Sequence, residues 1–255
     1  MNIVKHRDLT LTALPCGTLV TACDSCGAVG EKPADVLSVP PYYAGRFTAR
    51  VALMEVLAFG AQPVTVADTL ACEMEPTGQE ILRGVRDELA AAGVGPEVLT
   101  GSTEENFPTQ MTALGITVAG WTPAPIGWTP SRSGDVVYCI GTPQVGAEVV
   151  LEDNRAIASY DDLNLLHALD GVREVIPTGS HGIRWEAEQL AAYNRLCFAA
   201  DDAPGPDLDQ STGPATCVLA AADPACCAAI EAMPRAVRIG VLRSCPPGVS
   251  PDSRR

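Results

Sequence analysis

The stretch Ala44-Gly-Arg-Phe-Thr-Ala-Arg-Val-Ala-Leu-Met-Glu55-Val-Leu-Ala-Phe-Gly60-Ala-Gln-Pro63 decides the fold. Ala49, Leu53, Val56 and Leu57 recur at helical spacing, and Gly60 supplies the stop, so the spacing predicts a helix over 44–60. One residue breaks its apolar face: Glu55. Before this helix, Thr18-Leu-Val-Thr-Ala-Cys23 is a buried strand ending at Asp24. After it, Val64-Thr-Val-Ala67 is a second strand ending at Asp68. Strand–helix–strand units in an Ala-, Gly- and Val-rich chain with 5% aromatics predict an α/β fold with close helix–sheet packing.

Further along, Pro76 opens a helix carrying Ile81, Leu82, Val85 and Leu89 on one face, with Gly93 as its stop. Val98-Leu-Thr leads into Gly101-Ser-Thr-Glu-Glu-Asn106, and 113–120 alternates as a strand. A Pro/Gly-rich stretch, 121–134, marks the change-over between two halves, so domains are expected over 1–122 and 135–245. The second half is expected to hold strands at 135–141, 175–178, 215–221 and 237–242. Helices are expected after Ser159, over 183–197 and over 224–233, with a loop at 201–213 and a frayed tail from Cys245 onward.

The 255 residues carry 17 basic and 31 acidic side chains, a net charge of -14. That excess repels nucleic acid and anionic lipid, so neither is an expected partner. No run of eighteen apolar residues suggests a membrane span, and Met1 to Asp8 lacks the apolar core of a secretory signal. The expectation is a soluble cytoplasmic protein whose ten cysteines are reduced thiols. Cys23-Asp-Ser-Cys26 has redox or zinc spacing, but no second pair or nearby histidine completes a tetrahedral set, and buried thiols are the expected state.

The acids fall in informative places. Asp24, Asp68 and the pair Glu104-Glu105 stand at strand ends, and Glu55 stands on a helix. Mg²⁺ shared between one or two carboxylates and substrate phosphates needs such a placement. Strand ends also face solvent, where acids serve solvation alone. Gly179-Ser180-His181-Gly182, between a strand and a helix, offers backbone N–H groups for phosphate, or is a plain connection. Arg46 and Arg50, four residues apart on one helix, can meet a phosphate or an acid of the protein. No P-loop or Rossmann glycine pattern is present.

Asp24-Ser-Cys-Gly, the helix through Glu55 into Gly60-Ala-Gln-Pro63, Gly101-Ser-Thr-Glu-Glu-Asn106 and Gly115-Ile-Thr-Val-Ala-Gly120, in that order, resemble the PurM-like family. That family includes aminoimidazole ribonucleotide synthetase, thiamine-monophosphate kinase, selenophosphate synthetase and a hydrogenase maturation factor. The resemblance implies an N-terminal α/β half that dimerises through its sheet and a C-terminal α/β half of ferredoxin-like strand order. It also implies ATP and Mg²⁺ at their junction. Position by position, Asp24, Glu55, Glu104 and Glu105 become metal-associated acids. Gly101, Ser102, Thr103, Gly179, Ser180, His181 and Gly182 become candidates for the nucleotide, and Lys32 for the transferred phosphate. Asp24 or Asp68 would orient or deprotonate the acceptor hydroxyl.

The departures are Glu55 for Asp, Gly101-Ser for Gly-Gly, His181 for the Asp of Ser-Asp-Gly, and a nearly absent glycine-rich segment before the first strand. Asp24 to Lys32 and Gly101 to Asn106 look most like the α-ribazole kinase-like branch, often described as synthetase-related. The implied activity is phosphorylation of the ribose 5′-hydroxyl of α-ribazole, a nucleoside-like alcohol, by a homodimer. The alternatives are an ATP-dependent synthetase and a nucleotide-binding assembly protein without chemistry.

Overall fold

In a computed structural model of the chain, residues 2–125 and 129–246 are described. They form two compact units, Met1–Ile126 and Gly127–Arg255. Part of the expected change-over, 126–128, and most of the expected tail, 247–255, lie outside the described residues.

The first unit begins with strands β1 (Ile3–His6), β2 (Leu9–Leu14) and β3 (Gly17–Gly27), followed by the short β4 (Val29–Gly30) and β5 (Leu37–Ser38). Helix α1 (Pro41–Ala58) opens on a proline in its first turn, where the missing N–H has no intrahelical partner to lose. It ends at Gly60, whose φ of +83° suits glycine. Strand β6 (Gln62–Leu70), helix α2 (Gln79–Ala91), β7 (Leu99–Thr103) and β8 (Ala113–Thr122) complete the unit. The six long strands lie in the order β1-β2-β3-β8-β6-β7, antiparallel except for the β6–β7 pair.

Period-two alternation fixes the faces of this sheet. Val20 and Ala22 of β3, Leu114, Ile116 and Val118 of β8, and Val66 and Leu70 of β6 are buried, while Cys23, Ser25, Thr69 and Thr117 on the opposite face are exposed. Helix α1 packs on the buried face, and α2 packs on α1. Their crossing is a backbone contact. A Cβ at Gly84 would overlap the Tyr42 carbonyl oxygen, and one at Gly45 would overlap that of Ile81. The arginines of α1 turn to α2: Arg46 Nε lies 2.9 Å and Arg50 Nη1 3.5 Å from the buried Glu88 carboxylate. They are protein-paired arginines.

The second unit holds β9 (Val136–Ile140), α3 (Tyr160–Ala168), β10 (Val172–Pro177), α4 (Gly182–Tyr193), β11 (Leu196–Ala200), β12 (Val218–Ala222), α5 (Cys227–Glu231) and β13 (Ala236–Ser244). Its antiparallel sheet has the order β10-β12-β9-β13-β11. Without β11, the strands in chain order read 4-1-3-2 from the β13 end, which is the ferredoxin-like arrangement. Ile183, Ala187 and Leu190 of α4 bury against Val137, Cys139 and Leu219. Tyr138, on the other sheet face, donates its hydroxyl hydrogen to Glu231 of α5 at 2.9 Å. Helix α3 carries the capping box expected after Ser159, with Asp162 also held by Arg235 at 2.7 Å.

Three expectations are corrected. The helix over 183–197 stops at Tyr193 because Arg195 turns at φ +57°, and Leu196 to Ala200 then pair with Ser244 to Gly240. That register sets Cys197 beside Cys245 with Cα atoms 5.1 Å apart, and the two form a disulfide. These cysteines are therefore not reduced thiols, and Cys245 is no free tail. Finally, Cys23 and Cys26 are three apart on one strand and face opposite sides of the sheet. Cys23 is exposed, not buried, and Cys26 bonds to Thr48 on the helix side. A shared metal or a redox pair is closed to them.

Candidate active site

The register of the first sheet brings together what the sequence left scattered. Asp24 of β3 stands opposite Ile116 of β8, Ile116 opposite Asp68 of β6, and Asp68 opposite Gly101 of β7. The four residues form one row across four strands on the helix-covered face. Neither aspartate ends its strand: β3 runs three residues beyond Asp24, and β6 two beyond Asp68. With strands about 4.8 Å apart, the two carboxylates flank Ile116 roughly 10 Å from each other at their Cα atoms.

Asp68 is the unusual member. Only 4% of it is exposed. Among the described residues its hydrogen-bond donor is its own amide N–H. Burial pushes its carboxyl above the ordinary carboxylate range, against the opposing pull of that amide and of the Arg86 charge. Its side chain lies across the neighbouring strand, where a Cβ at Gly101 would overlap both carboxylate oxygens. Glycine at 101 is what admits the carboxylate. A carboxylate has about four lone-pair sites, and its own amide takes one of them.

Asp68 lines a cavity of about 290 Å³. Its lining is polar at Asp68, Arg86, Ser102 and Thr103 and apolar at Met74, Leu82, Pro96 and Leu99, with Gly101 beside Asp68. Arg86 stands four residues after Leu82 on α2, so both reach the cavity from one helix flank. The sequence reading missed Arg86, and this spacing beside the apolar stripe was its signal.

The other expected residues have distinct surroundings. Asp24 also has a raised carboxyl pKa, through burial first, opposed by the Ser25 amide. Glu55 is buried in α1. Glu105 accepts from the Met74 amide at 2.8 Å and from Thr103 Oγ1 at 2.9 Å, so it fixes a cavity wall. Glu104 accepts from the Asn106 amide at 2.6 Å. Asp24, Glu55, Glu104 and Glu105 thus do not converge: no group of three metal-ligating side chains is gathered at one point among the described residues. Mg²⁺ carried by a nucleotide needs only one or two protein carboxylates, and Asp24, which accepts from the Ser25 amide, can meet that demand. The Lys32 ammonium is held by Glu73 at 2.6 Å and by the Thr109 carbonyl at 3.3 Å, which ties the segment after β4 to the one after β6.

In the second unit, Gly179 to Gly182 forms a tight turn into α4. The Gly179 carbonyl accepts from the Thr212 amide and hydroxyl and from the Gly182 amide. Gly182 has φ +84°. Ser180 and His181 are exposed ahead of the twelve-residue α4, and His181 leans on Trp185 with ring centroids 4.8 Å apart.

Comparison with known proteins agrees with this architecture. Residues 13–122 match the family described as AIR synthase related protein, N-terminal domain. No curated protein matches the chain by sequence. Among solved structures, the chain is similar to thiamine-monophosphate kinase of Aquifex aeolicus at 15% identity and TM-score 0.67, over 94% of this chain and 89% of that one. A second structure of that kinase, complexed with AMPPCP and TMP, matches at 14% identity and TM-score 0.66, over 93% and 85%. A hydrogenase maturation protein of E. coli matches at 15% identity and TM-score 0.66, over 88% and 79%. The PurM-like resemblance therefore holds for the fold and for the N-terminal domain. Among the described residues, no helix is long and apolar enough to cross a membrane.

Proposed function

We propose that this PurM-like protein is an ATP-dependent phosphotransferase acting on an alcohol of a small molecule, and that the ribose 5′-hydroxyl of α-ribazole is its acceptor. The observation that carries the reading is Asp68: a buried carboxylate, admitted by Gly101, lining a cavity of about 290 Å³. Burial raises its basicity, which suits a group that takes a proton near neutral pH. The acceptor hydroxyl donates to Asp68 and its oxygen attacks the γ-phosphorus of ATP. The new O–P bond forms as the bond to the β–γ bridging oxygen breaks, the proton passes to Asp68, and ADP leaves.

Phosphoryl transfer needs positioning and charge neutralisation more than covalent help. Arg86 and the hydroxyl of Ser102, both lining the cavity, are the groups for that task in the first unit. Bound Mg²⁺ would be held by Asp24, on the same row, which leaves Asp68 to take the proton, and would supply charge neutralisation. The open face of the first sheet, with its exposed Cys23, Ser25, Thr69 and Thr117, is the surface for a second copy of the chain. The folds of thiamine-monophosphate kinases, one seen with the ATP analogue AMPPCP, support a kinase reading.

The test is product analysis. The protein is incubated with Mg²⁺-ATP and α-ribazole, thiamine phosphate or simple nucleosides, and the products are read by mass spectrometry. A stable phosphate monoester of α-ribazole supports the reading. Release of ADP only with a second nucleophile would make it a synthetase, and phosphorylation of thiamine phosphate alone would refute the acceptor.

A further inference from the structure

Strands β3, β6 and β7 point the same way, because β3 and β6 each pair antiparallel with β8 and β7 pairs parallel with β6. Three loops therefore leave one end of the first sheet. The loop between β4 and β5 carries Lys32 and Asp35, the one after β6 carries Glu73, and the one after β7 runs from Glu104 to Thr112. Asp35 accepts from the Lys32 amide, the Thr112 amide and the Thr112 hydroxyl, each at 2.8 Å. That sets the backbone at Lys32, whose ammonium then reaches Glu73.

Glu73 is held at both oxygens. Oε2 takes the Lys32 ammonium at 2.6 Å, and Oε1 takes the Thr77 hydroxyl. Burial pushes its carboxyl up, but these two bonds outweigh that and hold it below the ordinary glutamate range. The next residue is held from the other side. The Met74 amide donates to Glu105 Oε1 at 2.8 Å, and the same oxygen takes the Thr103 hydroxyl at 2.9 Å. The peptide between Glu73 and Met74 thus has an anchor in each neighbouring loop. Met74 and Thr103 line the cavity with Asp68, and Lys32 does not.

Only 13% of the Lys32 side chain is exposed, and a second of its N–H groups goes to the Thr109 carbonyl. A phosphate claiming this ammonium would strip a partly buried carboxylate of its counter-charge. We infer that Lys32 is a positioning residue and not a phosphate ligand: through Glu73 it fixes the peptide before Met74, and with it the Met74–Glu105–Thr103 bonds at the cavity. Its catalytic consequence rests on the phosphotransfer reading, but the clasp can be measured without transfer.

The experiment compares wild type, Lys32→Met, Glu73→Gln and the double variant by hydrogen exchange at the Met74 amide, read by NMR, and by steady-state transfer kinetics. Each single variant should exchange Met74 faster by about threefold or more, with the amides of the central strand β8 unmoved. The double variant should exchange no faster than either single, since all three lack the same bond. Transfer should follow: kcat lower by about tenfold or more in each single variant, no further loss in the double, and KM for ATP within about twofold of wild type. Lys32→Arg keeps the ion pair and should restore both readouts.

Wild-type Met74 exchange in a folded single variant overturns the inference, and so does faster exchange with undiminished kcat. A loss of kcat or a rise in KM for ATP in Lys32→Met but not in Glu73→Gln also overturns it, because Glu73→Gln frees the ammonium for a phosphate. If Lys32→Met fails to fold, Glu73→Gln decides by the same two readouts. A wild type that transfers no phosphate removes the kinase, and the exchange still decides the clasp.

Discussion

Replacing Gly101 by alanine adds one methyl group where the Asp68 carboxylate lies. The new Cβ overlaps Oδ1, Oδ2 and Cγ of Asp68, so the carboxylate must retreat by about 1 Å or more to reach ordinary contact. Gly101 lies in β7 without a positive φ, so alanine is compatible with the backbone there. Overpacking costs about 1–3 kcal/mol, and the adjoining cavity gives the carboxylate somewhere to go. The damage therefore falls on the site: a misplacement of about 1 Å lowers kcat by about 10²-fold. Steady-state transfer kinetics and a thermal melt on the same preparation separate the two effects. Gly27→Ala is the control, because a Cβ there meets nothing within 4 Å, and its rate should stay at wild type. A Gly101→Ala protein with wild-type kcat would refute the claim that Asp68 must lie over residue 101.

Gly84→Ala drives a Cβ into the Tyr42 carbonyl and to 2.9 Å from the Arg46 amide nitrogen, so overpacking of about 1–3 kcal/mol outweighs a helix-propensity gain of about 1 kcal/mol. Urea unfolding should show a net loss, and a gain would contradict the α1–α2 crossing. The Cys197–Cys245 disulfide spans 48 residues, for which loop-closure entropy gives about 4 kcal/mol. Reductant should lower the wild-type unfolding midpoint to that of Cys197→Ser and leave the variant unmoved. An unmoved wild-type midpoint would contradict the bond. Asp68 titrates above its ordinary value in the folded state, so its ionised form weakens folding near neutral pH and the loss is relieved as pH falls through the folded pKa. Asp68→Asn should therefore melt higher than wild type at neutral pH, with the gap closing on acidification. His6, buried against Phe59 with its pKa lowered to about 4, destabilises both proteins alike as pH falls below its ordinary value, and cancels in the difference.

Helix α1 and the strands around it were legible because their apolar periods are uninterrupted and their glycines stand at real stops. The β1–β2 hairpin was overlooked although Leu9 and Leu11 alternate and are buried. Strand β11 was not legible: Leu196 to Ala200 continues the apolar character of the preceding helix, and pairing with β13 decides its state. The acids were legible as residues, but not their arrangement. That Asp24 and Asp68 share a row depends on the β3–β8–β6 register, which local sequence does not encode. The opposite outcome at Cys23 and Cys26 follows from strand period alone, once β3 is known to run through both. Arg86 was hidden because α2 was read for its apolar face, and a cavity-lining cation sits at the flank of that face.

The account stands on Asp68 as the group that receives the acceptor proton, and the phosphoryl-transfer kcat of Asp68→Asn tests that most directly. Asparagine keeps the shape and removes the base, so kcat should fall by about 10²–10⁴-fold while the melting temperature at neutral pH stays level or rises. A wild-type kcat in a folded Asp68→Asn protein would contradict the account.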